Sequence, residues 1–438
     1  MRSYARWVVL HGIARVATRR WAAQGDPQAA LIADPSIRAD PYPTYERVRA
    51  NGTVSATRIG HITASHPIVN AVLRSDDFRV TSINGGLPPL MAKVERMTRN
   101  GALHPLAPPS LLSVEPPDHT RYRALVSSVF TARAVAAMRT DIQRVADGLL
   151  DDLAADARAG RDVDIVERYC AKLPVAIISD ILGLAPEDRE LVLEYGELAA
   201  PSLDLGLTYR QFRSVERGLS GFDRWLGRHL DELRRAPGDD LMSQLIRARV
   251  DDQQLNDEEL RATAGLVLVA GFETTVNLLG SGVRLLTDHP EQLETLRDDP
   301  QLWPNAVDEA LRVESPVQIT ARWARRTTEL AGVPIPSGGI VALLLAGANR
   351  DPDVFTDPAR FDVTRANANR HLAFSGGRHY CLGAALARLE GEIGLRSLFE
   401  RYPRLAVAGE GQRRPTRVLR GWASLPVRLG APADRITA

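Results

Sequence analysis

Hydrophobic positions recur at helical spacing along most of the chain between residues 120 and 398. Prolines and glycines interrupt this pattern at intervals, which predicts a series of separate helices. Strand-like runs are fewer and lie at residues 54–63, in parts of 321–345 and at 404–429. Because strands and helices do not alternate, the pattern predicts a mainly α-helical protein with small β-sheets, of the α+β class.

The longest predicted helix begins after Asn256 and continues to about Asp288. Asn256 can cap it, and Glu259 stands three residues later, as in a capping box. Residues 262–279 are apolar nearly all round, so this part of the helix must be buried. The strictly apolar run ends at Glu273, which is too short for a membrane span, and we therefore expect burial within the protein.

Three segments differ from this helical body. Residues 84–118 are rich in proline and glycine, so we expect a long irregular loop. Residues 1–29 mix arginines with short apolar groups and predict a basic amphipathic extension with a surface helix, with contact to a membrane surface or a partner as the alternative. Residues 30–430 are expected to form a single domain, and residues 431–438 a C-terminal tail.

The charge balance and the cysteine count restrict the possible partners. Fifty-five basic and fifty-four acidic side chains leave a net charge of +1, which gives no general attraction to nucleic acid or anionic lipid. Two cysteines make neither a disulfide framework nor a multi-cysteine zinc site, and they fit a reducing cytoplasm. We expect a cytoplasmic monomer without nucleic-acid binding or membrane attachment.

Cys381 lies in a glycine-rich segment directly before a helical pattern at residues 384–400, Phe374-Ser-Gly-Gly-Arg-His-Tyr-Cys-Leu-Gly383. A helix N-terminus favours a thiolate over a thiol. From these residues alone, the cysteine could be structural, a nucleophile with His379 as its base, or a metal ligand. A phosphate-binding loop is excluded because no Gly-Lys-Ser or Gly-Lys-Thr follows the glycines.

This segment resembles the haem-binding loop of the cytochromes P-450, in the form found in soluble bacterial members. Phe374, Gly377, His379, Cys381 and Gly383 match, whereas Ser375 replaces the usual glycine. The resemblance implies haem b, iron protoporphyrin IX, with the Cys381 thiolate as axial ligand and promoter of O–O cleavage. It also implies that Phe374 covers the sulfur side of the haem and that His379 binds a propionate.

A second motif lies within the long helix, where Ala270-Gly-Phe-Glu-Thr-Thr275 resembles the family's Ala-Gly-x-(Asp/Glu)-Thr sequence beside bound oxygen. Polar groups in a buried helix need partners, and an interior glycine costs about 1 kcal/mol against alanine. The resemblance implies that Ala270 borders the haem, that Thr274 supplies a hydrogen bond and that Glu273 relays protons. Alternatively, the threonine hydroxyls bond back to carbonyls four residues earlier and Glu273 pairs with a surface arginine.

Three weaker motifs depend on their position between the stronger ones. Glu309-Ala-Leu-Arg312 resembles the family's Glu-x-x-Arg pair, and we expect Arg312 to bond the meander near residues 352–372. His119-Thr-Arg-Tyr-Arg123 resembles the His-x-x-x-Arg clamp for haem propionates, with both side chains on one helical face. Arg322 matches the third propionate-binding arginine.

The resemblance covers about residues 30–430 and implies a triangular, mainly helical fold with haem between the long helix and the Cys-loop helix. It implies a monooxygenase that inserts one atom of O₂ into a small apolar substrate by hydroxylation or epoxidation. Since the chain has no flavin or iron–sulfur motif, a ferredoxin or flavodoxin with its NAD(P)H-dependent reductase would supply the electrons.

The resemblance leaves alternatives open. The protein could be a haem-thiolate binding or gas-sensing protein without turnover, or a haem-thiolate isomerase or reductase. The substrate itself is not identified by the sequence. The residues implied for its pocket are Leu87, Leu266, Val269, Val317 and Gln318.

Overall fold

The computed structural model describes residues 2–83, 85–127, 130–238, 240–249 and 253–433, apart from the side chain of Ala132. Asn84, the first residue of the predicted loop, and residues 434–438 of the predicted tail lie outside the described residues. The predicted mixture of many helices with small sheets is confirmed. The division into an extension, one domain and a tail stays a prediction.

The helices are numbered in chain order. They are α1 Arg2–Trp7, α2 Ile13–Ala22, α3 Pro27–Ala33, α4 Pro35–Ala39, α5 Tyr42–Ala50, α6 His66–Arg74, α7 Pro89–Thr98, α8 Asp118–Ser127, α9 Ala132–Ala137, α10 Arg139–Asp152, α11 Ala154–Arg158, α12 Lys172–Ile181, α13 Arg189–Ala199, α14 Tyr209–Arg235, α15 Leu241–Arg247, α16 Asp257–Asp288, α17 Pro290–Asp298, α18 Trp303–Val313, α19 Leu345–Ala348 and α20 Ala384–Arg401.

The strands are short. They are β1 Ser55–Ala56, β2 His61–Thr63, β3 Phe78–Val80, β4 Asp162–Asp164, β5 Ile319–Ala324, β6 Thr328–Leu330, β7 Val333–Ile335, β8 Ile340–Leu344, β9 Ala406–Val407, β10 Gln412–Arg413, β11 Trp422–Ser424 and β12 Pro426–Arg428. One sheet has the order β1-β2-β8-β5-β3, in which β2 and β8 are parallel, and a second has the order β4-β12-β9. Strands β6 and β7, and strands β10 and β11, form two-stranded antiparallel pairs.

Helix α16 passes through the centre of the fold and packs against α12, α14, α18 and α20. Its predicted capping box is confirmed, since the Asn256 side chain accepts hydrogen bonds from the Glu258 and Glu259 amides and Glu259 accepts one from the Asn256 amide. Within the described part of the chain, α16 alone is long and apolar enough to cross a membrane. The protein buries 67% of its most apolar window.

The prediction of a wholly irregular loop at residues 84–118 is wrong, because α7 lies within it. Pro89 stands in the first turn of α7, where proline is tolerated since its missing N–H would have no helical partner. The residues that follow, from Leu90 to Arg96, are mostly good helix formers. The proline content therefore marked the start of a helix as well as the turns around it.

The N-terminal segment is helical, as predicted, and its outer face is exposed, so the expected surface helix is present. One face is buried against α7, α14 and the chain before α14, and Arg6 lies on that face. The Arg6 guanidinium is 2.6 Å from Glu216 Oε1 and 4.0 Å from Glu95 Oε1. The Trp7 indole N–H donates to the Leu207 carbonyl oxygen at 2.9 Å. The extension is thus fastened to two separate regions of the fold.

Replacing Arg6 tests this attachment. Arg6→Ala leaves the Glu216 carboxylate in a largely buried site without its cation, whereas Glu95 keeps Arg99, so we expect a loss of about 3 kcal/mol in unfolding free energy. Arg144→Ala is the matched control, because Arg144 pairs with Asp141 on the exposed surface and should cost less than about 1 kcal/mol. Urea denaturation of both variants measures the difference, and equal losses would contradict the attachment.

Candidate active site

The Cys loop, residues 374–383, connects the meander to α20 and is closed by its own backbone. The Cys381 amide donates to the Phe374 carbonyl oxygen at 3.0 Å, and the Ser375 amide donates to that of Leu372 at 2.9 Å. Ser375 and Gly377 both have left-handed backbone, with φ of 62° and 63°. A Cβ built on Gly377 would collide with the Leu73 carbonyl oxygen, so glycine is required there.

Cys381 is accessible to solvent, whereas Cys170 is buried. The protein atoms around Cys381 nevertheless desolvate its thiol and raise its pKa, against the lowering effects of the Gly383 amide and the charges of Arg123 and Arg388. The Gly383 amide at the helix N-terminus favours the thiolate, as expected, but desolvation is the larger effect on the pKa of the thiol. A metal ion would reverse this balance, since a coordinated thiol loses its proton.

His379 is a poor base for a nucleophilic cysteine. Burial, followed by the nearby His119 and Arg322, lowers the pKa of His379 to about 3. A neutral imidazole beside a thiol of raised pKa does not form a thiolate–imidazolium pair. Of the three roles left open by the sequence, the nucleophile has the least support in the structure.

Four potential cations from three elements converge beside the Cys loop: His119 and Arg123 on α8, Arg322 on β5, and His379. The His119 and His379 rings lie 4.3 Å apart between centroids, and Arg123 donates to the Tyr380 carbonyl oxygen at 2.8 Å. Arg322 is buried and bonds only Thr320 Oγ1 and the Ala321 carbonyl oxygen among the described residues. The structure thus brings all four predicted propionate-binding residues together.

This cationic cluster has too little negative charge around it. Burial lowers the pKa of Arg322 to about 10 and is also the main cause that lowers the pKa of His119. The Nε2 atoms of His119 and His379 are buried and have no hydrogen-bond partner in the described ranges. Glu115 is the nearby carboxylate, and its Oε1 is 4.0 Å from His379 Nε2, beyond hydrogen-bond distance. A group that carries carboxylates would satisfy these donors.

The motif in α16 shows an unusual pattern of exposure. Ala270 is exposed and Thr274 is half-buried, although most of the helix around them is buried. Thr274 Oγ1 donates to the Ala270 carbonyl oxygen at 2.9 Å, and Thr275 Oγ1 to that of Gly271 at 3.2 Å. These are the back-bonds of the alternative interpretation, so a role for Thr274 must be compatible with them.

Glu273 pairs with an arginine, Arg414, whose Nε lies 3.6 Å from Glu273 Oε1. The alternative interpretation expected a surface arginine, but the Arg414 side chain is only 12% exposed. This pair does not satisfy the carboxylate, because Glu273 is buried and neither oxygen has a hydrogen-bond partner among the described residues. Burial raises the pKa of Glu273 above its usual value, against the opposing effect of Arg414. A carboxyl group of this kind can hold a proton closer to neutral pH than an exposed glutamate can.

The predicted pairing of Glu309 with Arg312 is confirmed, and both side chains are fully buried. Arg312 donates to the carbonyl oxygens of Asn349, Pro358 and Arg360, which confirms its predicted contact with the meander. The structure adds Arg365, whose Nε is 3.0 Å from Glu309 Oε1. This network ties α18 to the chain that leads into the Cys loop.

Four of the five predicted pocket residues are partly buried. Leu266 packs against a small cluster of Leu111, Val114 and Tyr122, and Leu87 packs against the cluster around the N-terminal helix. Val269 borders the main core and Val317 a smaller one. These positions leave apolar surface on α16 and on the loop before α8, but their role as a substrate pocket stays a prediction.

The prediction that Gln318 lines the pocket is wrong. Its side chain is buried, donates to the Ser315 carbonyl oxygen at 2.7 Å and accepts a hydrogen bond from the Tyr45 hydroxyl at 3.1 Å. Successive side chains of an extended chain point to opposite sides, so Gln318 and Val317 do not share a face. Sequence reasoning also missed Glu115 and Arg414, because only the folded chain brings them to the site.

The family of this chain follows from its similarity to known proteins. Cytochrome P-450 140 of Mycobacterium tuberculosis is 56% identical over 440 residues, with 100% of each chain covered. This chain belongs to the cytochrome P-450 family. The family model described as cytochrome P-450 matches residues 202–419. The cytochrome P-450 monooxygenase PikC of Streptomyces venezuelae is 38% identical over 91% of this chain and 94% of its own length.

Solved structures confirm the cytochrome P-450 fold that the resemblance implied. P450BioI, in its complex with hexadec-9Z-enoic acid ligated acyl carrier protein, superimposes with a TM-score of 0.80 at 31% identity, covering 90% of this chain and 99% of that one. The family implies haem with a cysteine thiolate ligand. The accessible Cys381 and the unsatisfied donors of His119 and His379 fit this group, since haem carries an iron for the sulfur and two carboxylates for the donors.

Two substitutions of opposite sign test the geometry of the Cys loop. Ser375→Gly should raise the unfolding free energy by about 1 kcal/mol, because a left-handed backbone strains any residue with a Cβ. Gly377→Ala should lower it by more than about 1 kcal/mol, because the added Cβ meets a backbone oxygen that cannot rotate away. Thermal denaturation of the haem-free variants provides the comparison, and the same sign for both would rule out this loop conformation.

Proposed function

We propose that this cytochrome P-450 is a cytoplasmic monooxygenase that holds haem b and inserts one atom of O₂ into a small apolar substrate by hydroxylation or epoxidation. The observation that carries the proposal is that a buried carboxyl group, Glu273, and an accessible hydroxyl group, Thr274, occupy adjacent positions on α16. Glu273 is buried without a hydrogen-bond partner in the described structure, and Thr274 lies on the accessible side of the helix. A protein that only stores haem has no evident use for a buried carboxyl group of raised pKa.

The proposed haem contacts use residues from four parts of the chain. Cys381 would hold the haem iron through its sulfur, with Phe374 and Gly383 beside it in the Cys loop. The small side chain of Ala270 would let α16 approach the haem closely. His119, Arg123, Arg322 and His379 would hold the propionates. When bound, haem supplies the redox chemistry by which dioxygen is reduced and its O–O bond is cleaved.

Proton delivery is the part that the chain itself performs. Burial lets Glu273 hold a proton, and the charge of Arg414 at 3.6 Å lets the carboxylate form again after the proton has left. The Thr274 hydroxyl donates its hydrogen to the Ala270 carbonyl oxygen, so its lone pairs can still accept a hydrogen bond. Thr274 can therefore fix a water molecule or an oxygen species that Glu273 protonates.

An apolar substrate fits the residues that border this region. Leu266, Val269, Val317 and Leu87 offer aliphatic surface, and no charged side chain is among them. The acyl chain bound by the similar P450BioI is also largely apolar. Electrons would come from a ferredoxin or flavodoxin with its NAD(P)H-dependent reductase, since two cysteines cannot hold both haem and an iron–sulfur cluster. The working protein is proposed to be a monomer without nucleic acid.

The ratio of product formed to NAD(P)H consumed tests the function. In Thr274→Ala, the ratio should fall several-fold as electrons go to hydrogen peroxide, because oxygen loses its hydrogen-bond partner before cleavage. In Glu273→Gln, turnover should slow at least about tenfold, because the relay loses its ionisable group. A surrogate ferredoxin system and any compound that shifts the haem spin state allow the measurement.

Thr287→Ala is the matched control, since Thr287 is also half-buried on α16 and bonds back to the Val283 carbonyl oxygen at 2.9 Å. It should behave as wild type. An unchanged ratio and rate in both Thr274→Ala and Glu273→Gln would contradict the proposed roles. Absence of any product with the reductase system would favour a haem-binding or gas-sensing protein instead.

A further inference from the structure

Three polar side chains form a buried stripe along one face of α16. Glu273, Asn277 and Ser281 are spaced four residues apart, which places them one above another on the helix. Each is 2% exposed or less. Both carboxylate oxygens, both amide atoms and the hydroxyl oxygen lack a hydrogen-bond partner within the described part of the chain. Buried polar groups are satisfied by protein or by ordered water, so this stripe offers unused donors and acceptors to water.

The pair of strands β10 and β11 lies over the stripe. A Cβ built on Gly421 would collide with the Asn277 side chain, so the backbone beside β11 comes as close to the helix as glycine permits. Trp422 follows, and a Cβ built on Gly280 of the helix would lie 3.5 Å from its ring. Arg414, just after β10, reaches Glu273 and is joined to Gly421 through its own amide at 3.0 Å. A narrow layer of polar atoms is therefore enclosed between the helix and the strands.

The stripe opens into a cavity at its Ser281 end. The cavity has a volume of about 420 Å³ and is lined by Ser281, Arg284, Asp288, Glu410, Arg413 and Trp422, among others. Glu410 is exposed and Asp288 is nearly half exposed, so solvent reaches its rim. The Trp422 indole nitrogen in its wall is buried and, in the described structure, has no hydrogen-bond partner. A volume of this size holds several water molecules.

We propose that this cavity is the solvent entrance of a proton path that runs beneath β10 and β11, past Ser281 and Asn277, to Glu273. The inference rests on the proposed function of Glu273. A proton enters on cavity water and passes by way of the Ser281 hydroxyl, which accepts one proton and releases another. The Asn277 amide orients the next water without carrying a proton itself. The Glu273 carboxylate takes the proton up and so regains the one that it gives away in each turnover.

Arg414 marks a competing route. It lies between Glu273 and Glu197, with its Nη2 at 3.8 Å from a Glu197 oxygen, and the Glu197 side chain is 63% exposed. A guanidinium group has no acceptor and stays protonated, so it cannot pass protons from Glu197 to Glu273. Arg414 instead lowers the pKa of the Glu273 carboxyl group. The Asn277 amide also favours the charged carboxylate, although the two side chains do not form a hydrogen bond of ordinary geometry. The Ser281 side is therefore the better entrance.

Infrared spectroscopy of the haem-loaded protein tests the path without turnover. The carbonyl band of protonated Glu273 is identified by its loss in Glu273→Gln, and its shift after mixing with D₂O gives the exchange rate. Ser281→Val and Asn277→Leu replace polar groups of the path with aliphatic ones, so the exchange should be at least threefold slower in each. Thr263→Val should not change it, because Thr263 is a fully buried hydroxyl on α16, away from the path, that has no partner among the described residues.

Unchanged exchange in both Ser281→Val and Asn277→Leu would overturn the proposal. Slower exchange in Arg414→Leu, with unchanged exchange in both path variants, would also overturn it, because the rate would then depend on Arg414 and not on the stripe. Because the measurement needs neither substrate nor reductase, a protein without monooxygenase activity can still show the path. If the protein forms product but both path variants exchange at the wild-type rate, the proposed function is supported and the proposed path is refuted.

Discussion

A long helix buried in the protein interior can carry polar groups only where something satisfies them, and this constraint on α16 organises the whole molecule. Its termini are capped and its flanks are apolar, so the helix is stable as a structural axis. Four buried side chains of α16 lack a hydrogen-bond partner in the described structure. Three of them, Glu273, Asn277 and Ser281, lie on one stripe with Thr274 beside its inner end, and Thr263 lies apart. Function is therefore concentrated where the helix departs from what packing alone would select.

Local signals allowed much of this to be predicted from the sequence. The bounds of α16 follow from the capping box at Asn256, and the pairing of Glu309 with Arg312 follows from a spacing of one helical turn. The Cys loop is a continuous segment, so its residues could be identified together. His119, Arg123, Arg322 and His379 were placed by resemblance alone, because no local pattern indicates that α8, β5 and the Cys loop meet.

Helix α7 was missed for a local reason, because prolines surround it. The other features that the sequence did not show depend on contacts between distant parts of the chain. Arg6 is buried because α7 and α14 supply carboxylates for it. Gln318 was assigned to the pocket by resemblance, although its side chain is buried and accepts a hydrogen bond from Tyr45. Arg414 comes from strands near the C-terminus and could not be linked to Glu273 from the sequence.

Cys381, the proposed haem ligand, is subject to opposing electrostatic effects, and the larger one determines the direction in which its pKa shifts. A helix N-terminus and two arginines favour the Cys381 thiolate, yet desolvation is larger and keeps the pKa of the thiol raised. The thiolate therefore depends on the metal that it binds, and haem binding should release a proton. The proposed chemistry of the site therefore depends on Cys381 as the thiolate ligand of the haem iron.

The absorption spectrum of the reduced, carbon monoxide-treated protein tests this most directly. Wild type and Cys170→Ala, which removes the buried second cysteine, should both show the red-shifted Soret band that thiolate ligation produces. Cys381→Ala and Cys381→His should lose it, even where haem is retained. A red-shifted band that persists in Cys381→Ala would contradict the account.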